Sequence, residues 1–500
     1  MKIINNKNRF QRTELFVEVS VTLIIFFIAL RVPFDTDFFW HLNAGKVSFE
    51  QQSVLLSDFF SFTKYGTPWV NHSWLSQIIF YIIYRMFSYP GIMVLVALVA
   101  TATMSLIYKS MKGNSFVKAF LIILAVLISA VVWSPRPQIF SLLCFAILFR
   151  FVKKFDDSLK KKYLVYIIIL FLFWSNLHAG FTLGIAFLTL FVLGKIFDFS
   201  ESKQRTEVES KKIKYLLFLI LICSLVVIIN PNGIETWKVQ FDTVSMKSLQ
   251  NQIDEWASPD FHKLEQQPFL WIWLIITFFA FSTSSNLLFQ EILPIIFFGS
   301  LGFIAKRNFA PFAIVVFPTL AKLTLLFFEQ KIRNVRFFDK LKLSANKANL
   351  TPKQNIQIII NLFFVSIIGL AIFGKIFVLS NTLVLKSYEK KLFPADAMDY
   401  LTENGLPDGN VLNSYAWGGY MNWKIPELLV FVDGRTDLFG EKIIRDWTAM
   451  VSAKSGYDRL INEYNIKWIF LENDNPIVEE LIQKGWATNF KDDLCVILSK

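Results

Sequence analysis

The chain has 500 residues, of which 54% are hydrophobic, 18% are charged and 54 are Phe, and its formal net charge is +12. That balance excludes an ordinary water-soluble domain of this length. The Lys and Arg residues fall in short clusters between apolar runs, which excludes a nucleic-acid-binding surface and fits a polytopic membrane protein obeying the positive-inside rule.

The first apolar run, Leu15 to Val32, ends without a small-residue cleavage pattern and reads as a retained helix. Runs close to the roughly 17–20 residues that cross a bilayer are expected at 15–32, 91–108, 116–133, 138–152, 162–177, 180–197, 214–229, 268–283, 290–305, 309–328 and 356–379. The segment Leu75 to Phe87 is too short to span and is expected to lie in the interface as an amphipathic helix. With these eleven spans, the basic clusters at Lys2–Arg12, Lys109–Lys118, Arg150–Lys162, Lys195–Lys214 and Lys331–Lys353 all face the cytoplasm. Counting Leu75 to Phe87 as a further span would put two of those clusters outside. Cys144 and Cys223 lie within apolar runs and only Cys495 lies in a polar region, so no disulfide framework or thiolate metal site is expected.

The same parity sends the remaining connections to the outer face: a large first loop (33–90), Ser134-Pro135-Arg136-Pro137-Gln138, Asn176-Leu177-His178-Ala179-Gly180, residues 230–267 and Lys306-Arg307-Asn308. Residues 1–384 form the membrane domain. Residues 385–500 follow as an extracytoplasmic domain, with the N-terminus cytoplasmic and the whole in the cytoplasmic membrane.

Most polar residues that look out of place then meet at one membrane face. Asp35 and Asp37, at i and i+2 after the first span, reach a shared partner only from a turn or extended chain. They suit Mg²⁺ or Mn²⁺, or one serves as general base while the other orients it; an N-cap or solvated turn explains the same pair. Arg136, fixed between two prolines, has the fork that suits phosphate or pyrophosphate, or it snorkels to headgroups. His72, His178, Glu255, Lys306 and Arg307 complete the candidate substrate- and phosphate-binding set. The two cations at 306–307 oppose the positive-inside bias, which a phosphate would explain. Trp69 and Trp74 are expected as interfacial anchors or as platforms for sugar or prenyl groups.

In the last region, strands are expected at Val411–Asn413, Leu428–Val432, Trp468–Leu471 and Cys495–Leu498, alternating with helices at Glu441–Ser452, Tyr457–Tyr464 and Pro476–Lys484. The order implies a small α/β domain. Trp417-Gly418-Gly419-Tyr420 allows close backbone approach, and Asp433-Gly434-Arg435-Thr436-Asp437 reads as a binding loop after a strand or as a tight turn with an internal Arg–Asp pair.

Residues 1 to about 380, with one span followed by a large acidic outer loop carrying an interfacial helix, resemble the GT-C class of integral-membrane glycosyltransferases. The chain is also similar to a bacterial group that combines Asp35, Asp37, Trp40, His41 and Leu42 with Pro68, Trp69, His72, Trp74 and Leu75, and with Tyr415, Trp417 to Tyr420 and Asp433 to Arg435. Ser73 stands where that group commonly has an acid. The resemblance implies transfer of a sugar from a polyprenyl-phosphate carrier to a glycan, lipid or protein acceptor at the outer face, with an acid of the first loop as base or metal contact. Membrane lipids are the other expected partner. A non-catalytic envelope scaffold and a lipid or solute transporter are the alternatives, the latter disfavoured because no internal repeat is present.

Overall fold

A computed structural model describes residues 2–202, 205–245, 254–283, 287–332 and 354–500. Most of the basic cluster Lys331–Lys353 lies outside the described residues. The first part is helical: α1 (Lys2–Ala29), α2 (Phe38–Glu50), α3 (Trp74–Ser110), α4 (Ser115–Ser129), α5 (Gln138–Ser158), α6 (Lys162–Leu177), α7 (Phe181–Glu201) and α8 (Glu207–Val226). It continues with α9 (Glu235–Ser245), α10 (Gln267–Ser282), α11 (Phe289–Ile304), α12 (Phe309–Phe327), α13 (Gln354–Leu379) and α14 (Thr382–Leu392). Each expected span therefore coincides with a helix. Among the described residues, five helices are long and apolar enough to cross a membrane: Trp74–Ser110, Ser115–Val132, Phe181–Glu201, Lys306–Lys331 and Ile356–Leu379. Lys162–Leu177, Gln267–Ser282 and Phe289–Ile304 are shorter apolar helices.

The segment Leu75–Phe87 is not a separate helix. It forms the first part of α3, which breaks at Ser88 (φ 54°, ψ −153°) just before Pro90 and then continues to Ser110. Proline removes one backbone donor and disfavours helical backbone at the preceding residue, so the break falls where the sequence places its punctuation. Helix α2 lies close against α3: Gly45 faces the Gln77 carbonyl so tightly that a Cβ would overlap it.

Charges gather where α5 and α7 end and α8 begins. Lys195, buried, meets Asp156 and Glu209 at 2.6 Å each, and Lys212 lies 2.6 Å from Glu209. Lys322 meets Glu291 at 2.8 Å, and the Asp198 carboxylate accepts the first free N–H groups of α11 from Phe289 and Gln290. Buried ions persist only when paired in this way, and a carboxylate favours a helix N-terminus.

The C-terminal region holds α15 (Ala395–Asn404), β1 (Asn410–Asn413), α16 (Gly418–Lys424), α17 (Thr436–Val451), α18 (Tyr457–Glu463), β2 (Ile466–Glu472), α19 (Pro476–Gln483), β3 (Ala487–Lys491) and β4 (Cys495–Ser499). Its sheet has the order β1-β2-β4-β3, with β1 parallel to β2 and the other pairs antiparallel. The strand expected at Leu428–Val432 does not join it. Val430 instead exchanges backbone hydrogen bonds with Phe60 and Phe62 of the first loop, at 3.1 Å each. A strand that the hydropathy pattern assigns to the small domain is spent on docking that domain to the membrane body. Ala487–Lys491, largely exposed, has too weak an apolar pattern to be read from sequence.

The docking is sealed by Arg435. Its guanidinium lies 2.7 Å from Asp58 of the first loop and 2.7 Å from Asp433, and all three side chains are fully buried. Phe60 and Trp69 flank its face at 5.0 Å each. Trp69 is therefore buried in an interdomain core rather than set in a membrane belt, and Trp74 donates to Asn176 at 2.9 Å.

Candidate functional site

After α1 the chain turns through Asp35, whose Oδ1 accepts the Asp37 backbone N–H at 2.9 Å, an Asx-type turn that delivers Asp37 to the start of α2. A helix would point residues i and i+2 apart, whereas this turn lets both acids reach one partner. They converge on Arg136, which sits in the Pro-flanked turn immediately before α5. Its Nε lies 2.5 Å from Asp35 Oδ1, and its Nη1 lies 2.8 Å from Asp37 Oδ2 and 3.1 Å from Glu255 Oε2. Burial opposes the Arg136 charge, but the three carboxylates outweigh it and hold the guanidinium protonated. Burial pushes the Asp37 carboxyl up to about 6, with Arg136 pulling it down and Asp35 and Glu255 adding to the rise.

Above this cluster lies a cavity of about 200 Å³. Asp37, His72, Arg136, His178, Glu255 and Arg307 line it, so six of the expected residues meet. Asp35 does not line it and acts on Arg136 and Asp37 instead. Lys306, expected in the phosphate-binding set, is buried and lines neither this cavity nor the next one. Arg307 lies over the Trp256 ring at 4.4 Å, with Glu255 at 3.8 Å.

A second cavity, of about 240 Å³, adjoins the first and shares Gln138, His178, Trp256 and Arg307 with it. Its other walls include Leu142, Leu183, Leu301, Ile304 and Pro311. Helices α5 and α7 both begin at this junction, so their N-terminal dipoles favour negative charge there. A polar chamber thus opens onto an apolar one across a guanidinium, an imidazole and two helix starts. This is the arrangement an amphiphile with an anionic head requires.

Three of the four histidines line the first cavity, and their hydrogen bonds distinguish them. His178 Nδ1 accepts the Gly180 N–H at 3.0 Å and faces Ser141 Oγ at 2.8 Å, so its Nε2 carries the proton. Gln77 is oriented by Asn71, which donates to its oxygen at 2.8 Å, and its amide nitrogen then lies 3.3 Å from His41 Nδ1. Burial holds both His41 and His178 well below the ordinary imidazole range, and both are neutral donors. His72 differs, because its Nδ1 is buried without a hydrogen bond, 4.0 Å from Asp437 Oδ2.

Asp437, Thr436, Gly434 and Tyr415 bring the C-terminal domain into the cavity wall. Gly434 passes so close to Asp37 that a Cβ would overlap its Oδ1 and crowd the Trp40 indole nitrogen. Gly419 makes the same close approach to the Trp40 backbone. Sequence reasoning placed Asp433 to Asp437 in a binding loop but gave it no partner. Only the docking on Asp58 shows that this loop and Asp37 belong to one site. His262, by contrast, is exposed and outside the cavity.

The expected Mg²⁺ or Mn²⁺ seat between Asp35 and Asp37 does not fit this geometry. The Arg136 guanidinium fills the bite of the two carboxylates. Among the described residues no three His, Cys, Asp or Glu side chains converge on a metal position.

No family model and no curated protein sequence matches the chain. Solved structures do. The archaeal oligosaccharyltransferase AglB from Archaeoglobus fulgidus, in complex with an inhibitory peptide and a dolichol-phosphate, superposes with a TM-score of 0.56 over 91% of this chain and 69% of its own, at 11% identity. ArnT from Cupriavidus metallidurans bound to undecaprenyl phosphate superposes with a TM-score of 0.52 over 97% of each chain, also at 11% identity. The expected GT-C fold is therefore the fold observed, and the likeness at this identity is one of fold.

Proposed function

We propose that this chain of GT-C fold is a membrane glycosyltransferase that moves a sugar from a polyprenyl-phosphate carrier to an envelope acceptor at the outer membrane face. The observation that carries the reading is the junction of the two cavities, where Arg307, His178 and Gln138 stand between a polar chamber and an apolar one. The phosphate-proximal end of the prenyl chain occupies the apolar chamber, the phosphate meets Arg307 and the His178 Nε2–H, and the sugar enters the polar chamber. Arg136, already shared by three carboxylates, stabilises the acid cluster more than the phosphate.

The acceptor oxygen bonds to the anomeric carbon from the face opposite the phosphate, and the carbon–oxygen bond to phosphate breaks. The electron pair leaves with the phosphate, the acceptor proton passes to a base on the cavity wall, and the anomeric carbon is inverted. Asp37 is the catalytic carboxylate, ionised and facing the positive charge that develops on the sugar; such electrostatic stabilisation contributes about 10²–10³-fold. Asp35 is its positioning residue. The eleven apolar helices span the membrane, with the N-terminus inside and residues 385–500 outside.

The carrier site is tested by native mass spectrometry of the purified protein with undecaprenyl phosphate. Wild type retains the lipid and Arg307→Ala loses it. Equal retention by both proteins contradicts the placement of the phosphate.

A further inference from the structure

We propose that His72 is the base that takes the acceptor proton and that Asp437, from the C-terminal domain, is its positioning residue. This rests on the glycosyl-transfer reading and assigns one of its steps. The carboxylates of the first loop, where the base was expected, are engaged elsewhere. Asp35 does not line the cavity, and Asp37 has Oδ2 held by Arg136 at 2.8 Å.

Among the histidines lining the cavity, His72 alone can offer a lone pair to a substrate. In His41 and His178 the Nδ1 atoms accept hydrogen bonds, so Nε2 carries a proton and donates. In His72 the Nδ1 atom is buried and unbonded beside the Asp437 carboxylate at 4.0 Å. A carboxylate on that side favours the proton on Nδ1, which leaves Nε2 as the acceptor, and it stabilises the imidazolium once the proton is taken. Catalytic hydrogen bonds are often this long before substrate binds and tighten in the complex.

Asp437 is itself held. Its Oδ2 accepts the Trp69 indole N–H at 3.2 Å, and it follows the turn that Arg435 ties to Asp58. The charged and titratable groups around His72 are Asp437 from α17, His178 from the α6–α7 turn and His41 from α2, with Asp37, Arg136, Glu255 and Arg307 across the cavity. The proton leaves the acceptor hydroxyl as its oxygen bonds to the anomeric carbon, rests on Nε2, and passes from the imidazolium to water. The C-terminal domain is then a structural half of the active site, because a base on the first loop is oriented by an acid on that domain.

The test uses membranes from a deletion strain, which hold both the unused donor and the unmodified acceptor, with purified full-length protein added and the sugar increment followed by mass spectrometry. His72→Ala should lose about 10²–10⁴-fold in rate. Added imidazoles should restore it, with rates that rise with the basicity of the substituted imidazole. His72→Gln, which keeps the volume, should be equally slow and unrescued. Asp437→Asn keeps an acceptor for Trp69 and should still lose roughly 10-fold or more in rate without weaker donor binding. His72→Ala within threefold of wild type, or slow but unrescued by every imidazole, overturns the assignment while the transfer reading stands. No increment from wild type overturns the transfer reading and the assignment with it.

Discussion

Asp37 carries a conflict between stability and function. Its carboxyl is pushed up to about 6, above the value near 4 of an unfolded chain, so the native state binds that proton more tightly than the unfolded state does. The resulting stability is fully present at low pH and is lost as pH rises through about 6. Asparagine mimics the protonated acid at every pH. Thermal unfolding in detergent should therefore find Asp37→Asn more stable than wild type near about pH 8, by on the order of 2 kcal/mol, with the gap closing toward about pH 4. The same variant should be inactive. A less stable Asp37→Asn at neutral pH would mean that the Arg136 pair outweighs burial. Asp35→Asn, which leaves Asp37 in the cavity, should retain more activity than Asp37→Asn in the same assay. The sequence made the two acids conspicuous but could not rank them. Their separation into a cavity residue and a buttress depends on Arg136, about a hundred residues away in the chain.

At the scale of elements, two glycines decide how closely the parts of the site approach. Gly434→Ala puts a Cβ onto Asp37 Oδ1 without any need for unusual backbone angles. It should cut sugar transfer by about tenfold or more, in line with the sensitivity of catalysis to displacements of about 1 Å, and lower the melting temperature as well, because the buried Trp40 indole must shift to admit the Cβ. A Gly434→Ala enzyme with full activity would remove the Asp433–Asp437 turn from the site. The helices over the apolar runs were legible from hydropathy because those runs are long enough to give a clear signal, whereas α2, α9 and α14 lie outside them and were not, and Leu75–Phe87 is the first part of α3. The Leu428–Val432 segment was misassigned for a physical reason: a continuous apolar run reports that a strand-like segment is buried, not which partner it pairs with. Here the partner is Phe60–Phe62, across the domain boundary.

At the scale of the whole molecule, the membrane body and the C-terminal domain share a buried ion cluster and one cavity. Removing one partner of such a cluster strands the others, at about 3–5 kcal/mol. Arg435→Ala should lose about that much in thermal unfolding and should expose the C-terminal domain to limited proteolysis. Unchanged stability and protection would show that Asp58 and Asp433 are not held by Arg435. Topology is testable on the same protein, since all three native cysteines are buried. A cysteine at Glu427 should react with an impermeant maleimide from outside, and one at Lys160 only after lysis. The reverse pattern would invert the charge-based orientation. The fold class was readable because lipid imposes a strong compositional signature, whereas the interdomain site was not, because nothing local in Asp58 or Asp437 marks them as partners of residues in the other region.

Sugar transfer in this cavity through Asp37 can be tested in whole cells. The most direct measurement is a mass-spectrometric comparison of cell-envelope glycans and glycolipids from a deletion strain complemented with wild type or with Asp37→Asn at matched expression. Deletion should remove one sugar increment, wild type should restore it and Asp37→Asn should not. Full restoration by Asp37→Asn, or an envelope unchanged by the deletion, would contradict that transfer and would leave the non-catalytic scaffold as the better reading.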